Sequence, residues 1–255
     1  MGGELAVVCR LDHSYNPSRI KKRPPARYNP RGPRLRVRSR PPFPAPAMPD
    51  YAILIDAGFL KRKLGSRDNP VDAARIATFI ERLCAHERLV SLRLHRIYYY
   101  DAPPLTTKIQ KPLNGGAINF SATDLAKTNR MLLAQLARFE FVSLRLGEVV
   151  HRGWQVPARF LPGKQDSVTL THEHLKPNIQ QKGVDMRIGL DIASLTLKRH
   201  AGIIVLVTGD SDFVPAMKFA RREGAQLYLV TLGQSVREDM VEHADLILTV
   251  DLAIK

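Results

Sequence analysis

The chain has 255 residues, with 39 Lys+Arg against 24 Asp+Glu, a formal net charge of +15, and 44% hydrophobic and 7% aromatic residues. That length supports one or two domains with a full apolar core, and the composition excludes a wholly disordered chain. Its two cysteines, Cys9 and Cys84, exclude a disulfide scaffold and a Cys-rich zinc centre, and no apolar run reaches the roughly 18 residues of a membrane helix.

With no signal-peptide core at the N-terminus either, the expectation is a soluble, cytoplasmic protein whose charge suits a polyanionic partner. The charge is uneven: residues 1–50 hold 11 Lys+Arg against 3 Asp+Glu and 10 of the 18 prolines. Between Arg19 and Pro49, Pro alternates with Arg and no apolar period survives, so residues 1–49 are expected to form a disordered basic tail. Met48 stands directly before the first strong strand and is the alternative start, with everything upstream an extension. Residues 50–255 then make the functional domain.

Tyr51-Ala-Ile-Leu-Ile55 is a short apolar run ending at Asp56, the pattern of a buried parallel strand. Asn69-Pro70 opens a helix with Ala74, Ile76, Ala77, Ile80, Leu83 and Cys84 at helical spacing. A second strand runs from Leu92 to Tyr100. Ser121-Ala-Thr-Asp124 has the form of a capping box before a helix that buries Leu125, Leu132, Leu133, Leu136 and Phe139. Phe141 to Val150 reads as one strand, and residues 151–182 as irregular chain with room for a hairpin. Asp185 to Leu197 is apolar on most sides, as in a helix buried against a sheet. Ile203–Val207 is the most hydrophobic strand. A helix over 213–222, a strand over 227–231, a helix near 235–242 and a strand over 246–250 complete the chain. Such alternation predicts an α/β fold with a parallel sheet covered on both faces. Ligands in these folds bind outside the carboxyl ends of the strands, where the strand order reverses.

Four carboxylates fall at that edge. Asp56 ends the first strand, Asp210 and Asp212 follow the most apolar strand in Thr208-Gly-Asp-Ser-Asp-Phe213, and Asp185 opens the apolar helix. Singly, each has a plain structural use as a strand end or a helix cap. Gathered in one crevice they would repel one another unless a cation joined them, and an all-oxygen donor set favours a hard ion, Mg²⁺ or Mn²⁺. Elsewhere, His172 and His174 would share one face of a strand, Tyr98, Tyr99 and Tyr100 would alternate faces as packing residues, and Cys84 reads as a small core side chain.

The order of these motifs resembles the NYN domain family, in its LabA-like branch of the PIN-like nuclease superfamily. The resemblance rests on Ile53-Leu-Ile-Asp-Ala-Gly58, Arg96-Ile-Tyr-Tyr-Tyr-Asp101, Lys182-Gly-Val-Asp185, Val207-Thr-Gly-Asp-Ser-Asp-Phe-Val-Pro215 and Glu242-His-Ala-Asp245. It implies a PIN-like three-layer α/β/α sandwich with a central, mainly parallel sheet. It also implies a ribonuclease that hydrolyses RNA phosphodiester bonds with water activated at carboxylate-bound Mg²⁺ or Mn²⁺. Position by position it marks Asp56, Asp185, Asp210 and Asp212 as the metal and catalytic set. Thr208 stands where the family often has a hydroxyl, and Asp191 at a second acidic position. Lys108, Lys111 and Lys182, on loops at the same edge, are candidates for contacting RNA phosphates. One position departs: many family members carry Asn three residues after the first Asp, and here that residue is Phe59. This keeps a second reading, an RNA-binding or regulatory module without turnover. A third, a phosphatase, lacks the Asp-x-Asp directly after the first strand that an aspartyl-phosphate mechanism uses. RNA is the implied partner, with no membrane and with room for a homo-oligomer or a protein partner.

Overall fold

A computed structural model describes residues 50–66, 68–161, 163 and 167–251; the expected basic tail, 1–49, lies outside the described residues. The chain runs β1 (Asp50–Asp56), α1 (Ala57–Leu64), α2 (Ala73–Cys84), β2 (Arg93–Asp101), β3 (Lys108–Gln110), β4 (Ala117–Asn119), α3 (Asp124–Leu136) and β5 (Val142–Leu146). It continues through β6 (Glu148–Gln155), β7 (Lys176–Lys182), α4 (Val184–Leu197), β8 (Ile203–Val207), α5 (Val214–Arg222), β9 (Gln226–Val230), α6 (Glu238–Glu242) and β10 (Leu246–Ile247).

Six strands form one parallel sheet in the order β10-β9-β8-β1-β2-β5, while β3–β4 and β6–β7 form separate antiparallel ribbons. Side chains of a strand alternate between faces, and here both faces are covered. Ile53, Ile55, Tyr99, Val205 and Val207 pack on one face with Leu60, Ile76, Phe79 and Leu136 from α1–α3. Leu54, Tyr98, Tyr100, Ile204 and Leu206 pack on the other with Ile188, Ile192, Met217 and Met240 from α4–α6. The result is a three-layer α/β/α sandwich. Double coverage also explains why β8 is a continuous apolar run: all five of its residues are buried.

Several expected elements shift. Residues 57–64, not expected to be helical, form α1, capped by the Asp56 side chain. The cap of α3 is Thr123 and not Ser121, since the Thr123 hydroxyl accepts from the Ala126 N–H; Leu125 is then 77% exposed and Phe139 lies beyond the helix. His172 and His174 occupy a short 3₁₀ turn, so they share no strand face. Helix α4 is buried along one side only, with Met186, Leu190 and Leu197 exposed. Among the described residues, no helix is long and apolar enough to cross a membrane.

The expected strand Phe141–Val150 breaks at Gly147. Its N–H donates to the Asp101 carbonyl at 2.7 Å, and there the chain leaves the sheet edge for the β6–β7 ribbon. A Cβ on Gly147 would lie 2.5 Å from the Lys182 carbonyl oxygen, which is backbone and cannot swing away. Gly147→Ala is therefore expected to cost about 2 kcal/mol. A melting curve would show it as a loss of about 6 °C.

Candidate active site

The chain lays β2 and β5 on one side of β1 and then returns to place β8 on the other, so the strand order reverses between β1 and β8. Ile55 pairs with Val207, which brings Asp56 at the end of β1 beside Thr208 just past β8. The two loops are tied through one hydroxyl. Buried Thr208 donates from Oγ1 to Asp56 Oδ2 at 3.2 Å and accepts the Asp210 N–H at 3.2 Å. Asp56 Oδ1 accepts the Phe59 N–H at 3.1 Å, starting α1, and Asp210 Oδ1 accepts the Asp212 N–H at 3.0 Å, shaping the turn that leads into α5. Phe213 is the cap residue of α5, so Asp212 is not spent on capping.

Asp185 comes from the opposite direction. Lys182 ends β7, Gly183 turns the chain with φ 74°, and Asp185 sits in the first turn of α4 without being its cap. A positive φ at Gly183 is the left-handed region that other residues enter at a cost of about 1–2 kcal/mol.

The charges interact. Burial raises the Asp185 carboxyl above the ordinary carboxylate range, and Asp56, Asp210 and Asp212 raise it further by repulsion. Burial also raises Asp56, opposed by the Phe59 N–H, the Thr208 hydroxyl and the positive charge of Arg62. The side chains of Asp185 and Asp212 make no hydrogen bond or ion pair with other described residues. Asp185 within electrostatic range of three further carboxylates, with Asp185 and Asp212 lacking a protein partner, is an all-oxygen donor set whose chemistry suits a hard divalent cation. As placed, no three His, Cys, Asp or Glu side chains among the described residues stand close enough to hold a metal between them.

A model of the NYN domain matches residues 50–251. The chain belongs to the NYN domain family. That family is part of the PIN-like nuclease superfamily. No curated protein matches the chain significantly. A crystal structure of a protein of unknown function from Vibrio parahaemolyticus RIMD 2210633 is similar over 82% of this chain and 96% of that one, with 14% identity and a TM-score of 0.44.

The remaining candidates of this NYN domain are placed less centrally. Asp191, in the middle of α4, accepts from the Tyr100 hydroxyl at 2.8 Å. It also lies 3.0 Å from Arg145 Nε, an ion pair too bent to count as a hydrogen bond. Its charge is thus matched within the protein. Lys108 is on β3, Lys111 directly follows that strand, and Lys182 ends β7. All three lie on the ribbons that leave the carboxyl edge of the sheet.

Three features of the site were not anticipated from the sequence. Asp101, which ends β2, is buried and pairs with Lys61 of α1, whose Nζ also donates to Asn129 Oδ1 at 2.8 Å. The Tyr99 hydroxyl is buried with no hydrogen-bond partner among the described residues; burial, then Asp101 and Asp56, hold it well above the ordinary phenol range. Gly209 is crowded: a Cβ there would meet Gln234 Nε2 at 2.5 Å and the Phe59 ring at 2.8 Å. The one available signal was Asp101 itself, an acidic residue closing a strand next to the strand of Asp56.

Proposed function

We propose that this NYN domain is a divalent-metal-dependent ribonuclease of the LabA-like type, acting in a reducing compartment such as the cytoplasm. The observation that supports the reading is the tie of Asp56 to the Asp210 loop through the Thr208 hydroxyl where the strand order reverses, with the Asp185 carboxyl raised by burial and by these neighbours. Asp56, Asp210 and Asp212 would hold Mg²⁺ or Mn²⁺, with Asp185 completing the set directly or through water. When bound, the ion supplies water activation and neutralises charge developing on the phosphodiester. Thr208 orients Asp56 and the Asp210 loop toward each other through one hydroxyl. Asp191 and Thr208 serve as supports of this set in the reading, and Lys108, Lys111 and Lys182 as contacts to RNA phosphates. No protein nucleophile is needed.

The second reading, RNA binding without turnover, draws on Phe59. Its ring is buried against Gly209, where a side-chain amide would have added a donor. Labelled single-stranded RNA incubated with the full chain decides between them. Cleavage is expected with Mg²⁺ or Mn²⁺ and none with EDTA. Cleavage insensitive to EDTA overturns the metal-dependent mechanism, and binding without cleavage in any metal favours the regulatory module.

A further inference from the structure

The two antiparallel ribbons leave the sheet at the same edge as the carboxylates. Hairpin β3–β4 follows the end of β2, β6 departs at Gly147 after β5, and β7 returns to Asp185. They pack against each other. The Phe120 ring lies 6.5 Å from the His151 ring, and a Cβ on Gly115 of the β3–β4 turn would touch His172 Cβ at 2.7 Å. The base of the ribbon pair is anchored, since Glu148 pairs with Lys182 and Val149 packs against the core cluster that holds Val184 and Ile188.

Beyond that base the composition changes. The β6–β7 register slips between His151 and Trp154, where Gly153 has φ 86°. This bulge breaks the alternation and sets the Trp154 indole edge-on to the His151 imidazole, with centroids 5.5 Å apart. His151 Nε2 is buried without a partner among the described residues. Arg152, Arg159, Lys176 and Lys182 are exposed on or beside the ribbon, and Lys108 is exposed on the neighbouring hairpin. Residues 105–120 and 148–182 together carry seven Lys+Arg against three Asp+Glu. Strand β7, Lys-Pro-Asn-Ile-Gln-Gln-Lys, is polar and mostly exposed, with amides at Asn178, Gln180 and Gln181. Cations for a backbone, a half-buried indole for base stacking and amides for base edges together suit single-stranded nucleic acid. A duplex offers no free base face to stack.

We propose that the β6–β7 ribbon, with hairpin β3–β4 beside it, is a single-strand RNA platform that feeds the strand across Trp154 toward the carboxylate edge. The proposal rests on RNA as the substrate. It is tested independently of cleavage, because Trp154 is the only tryptophan of the chain. The full chain carrying Asp210→Asn is titrated with a short labelled uridine-rich RNA, reading RNA anisotropy and tryptophan emission together. Emission is expected to fall in step with anisotropy for the single strand, and not for a duplex of the same length. Arg152→Ala with Lys176→Ala is expected to weaken single-strand binding about tenfold. It should also lower the slope of log affinity against log salt by about 1.4, two phosphate contacts on a single strand. Arg88→Ala with Arg138→Ala, which removes the same charge from loops at the opposite edge of the sheet, should leave Trp154 quenching intact. Binding with unchanged emission, equal quenching by duplex, or equal loss in both double variants overturns the platform. RNA cleaved with flat Trp154 emission would sink the platform and keep the nuclease reading; quenching without metal-dependent cleavage would do the reverse.

Discussion

Asp210→Asn is expected to slow metal-dependent RNA cleavage by about 100-fold or more. The substitution is close to a pure charge removal. Asparagine keeps Oδ1, so the acceptor for the Asp212 N–H survives, as does the Asp210 N–H bond to Thr208. The turn into α5 therefore holds its shape. Removing one of four repelling carboxylates also relieves strain at Asp185, so the variant should melt no lower than the native chain. Initial rates with saturating RNA in Mn²⁺, beside a melting curve, separate the two effects. A variant that folds normally and cuts at the native rate would move the reaction away from the β1–β8 edge. A variant that loses both activity and several degrees of stability would instead assign Asp210 a structural role. Asp191→Asn, a support whose charge is already matched by Arg145 and Tyr100, is expected to slow cleavage far less than Asp210→Asn.

Much of this architecture is legible in the sequence because burial leaves a direct imprint. Strand β8 is enclosed by helices on both faces, so every residue is apolar and the run stands out. Asp56, Asp210 and Asp212 can be placed together because Asp56 ends one strand, Asp210 and Asp212 lie within five residues of the end of another, and parallel strands end on one edge. Helix α1 was hidden by its size: eight residues, one of them Gly58, carry three basic side chains in the last turn and hold only Ala57, Phe59, Leu60 and Leu64 inward. The break between β5 and β6 was hidden because Gly147 interrupts an otherwise alternating pattern without a second turn residue. Strand β7 was hidden because it pairs only with β6, buries little and so needs no apolar alternation. Asp191 shows a different limit. The family resemblance marked it as a second acidic position, yet the side chain is engaged by two residues from β2 and β5 that no helical period could reveal.

Lys61→Met is expected to cost about 3 kcal/mol of stability. In a domain of this size a melting curve would show the loss as about 9 °C. Lys61 is a quarter exposed, but its partner Asp101 has a side chain only 2% exposed. Without the ammonium, that carboxylate keeps one hydrogen bond, from the Ala102 N–H at 2.8 Å, and has no countercharge. Removing one partner of such a pair leaves a charge in the interior, which costs more than the pair itself contributes. Asn129 loses its donor as well, so the tie from α1 to α3 goes with it. Lys61→Met with Asp101→Asn removes the stranded charge and is expected to recover most of the loss, a non-additivity that a simple loss of helix packing would not give. The consequence reaches the carboxylate edge, because α1 begins at Asp56 and its roll against β2 is fixed by this tie one turn further on. Cleavage by the single variant should therefore fall with its stability, and the double variant should restore both. If Lys61→Met melts like the native chain, the tie contributes nothing, and Phe59, Leu60 and Leu64 alone hold α1 and Asp56 in place.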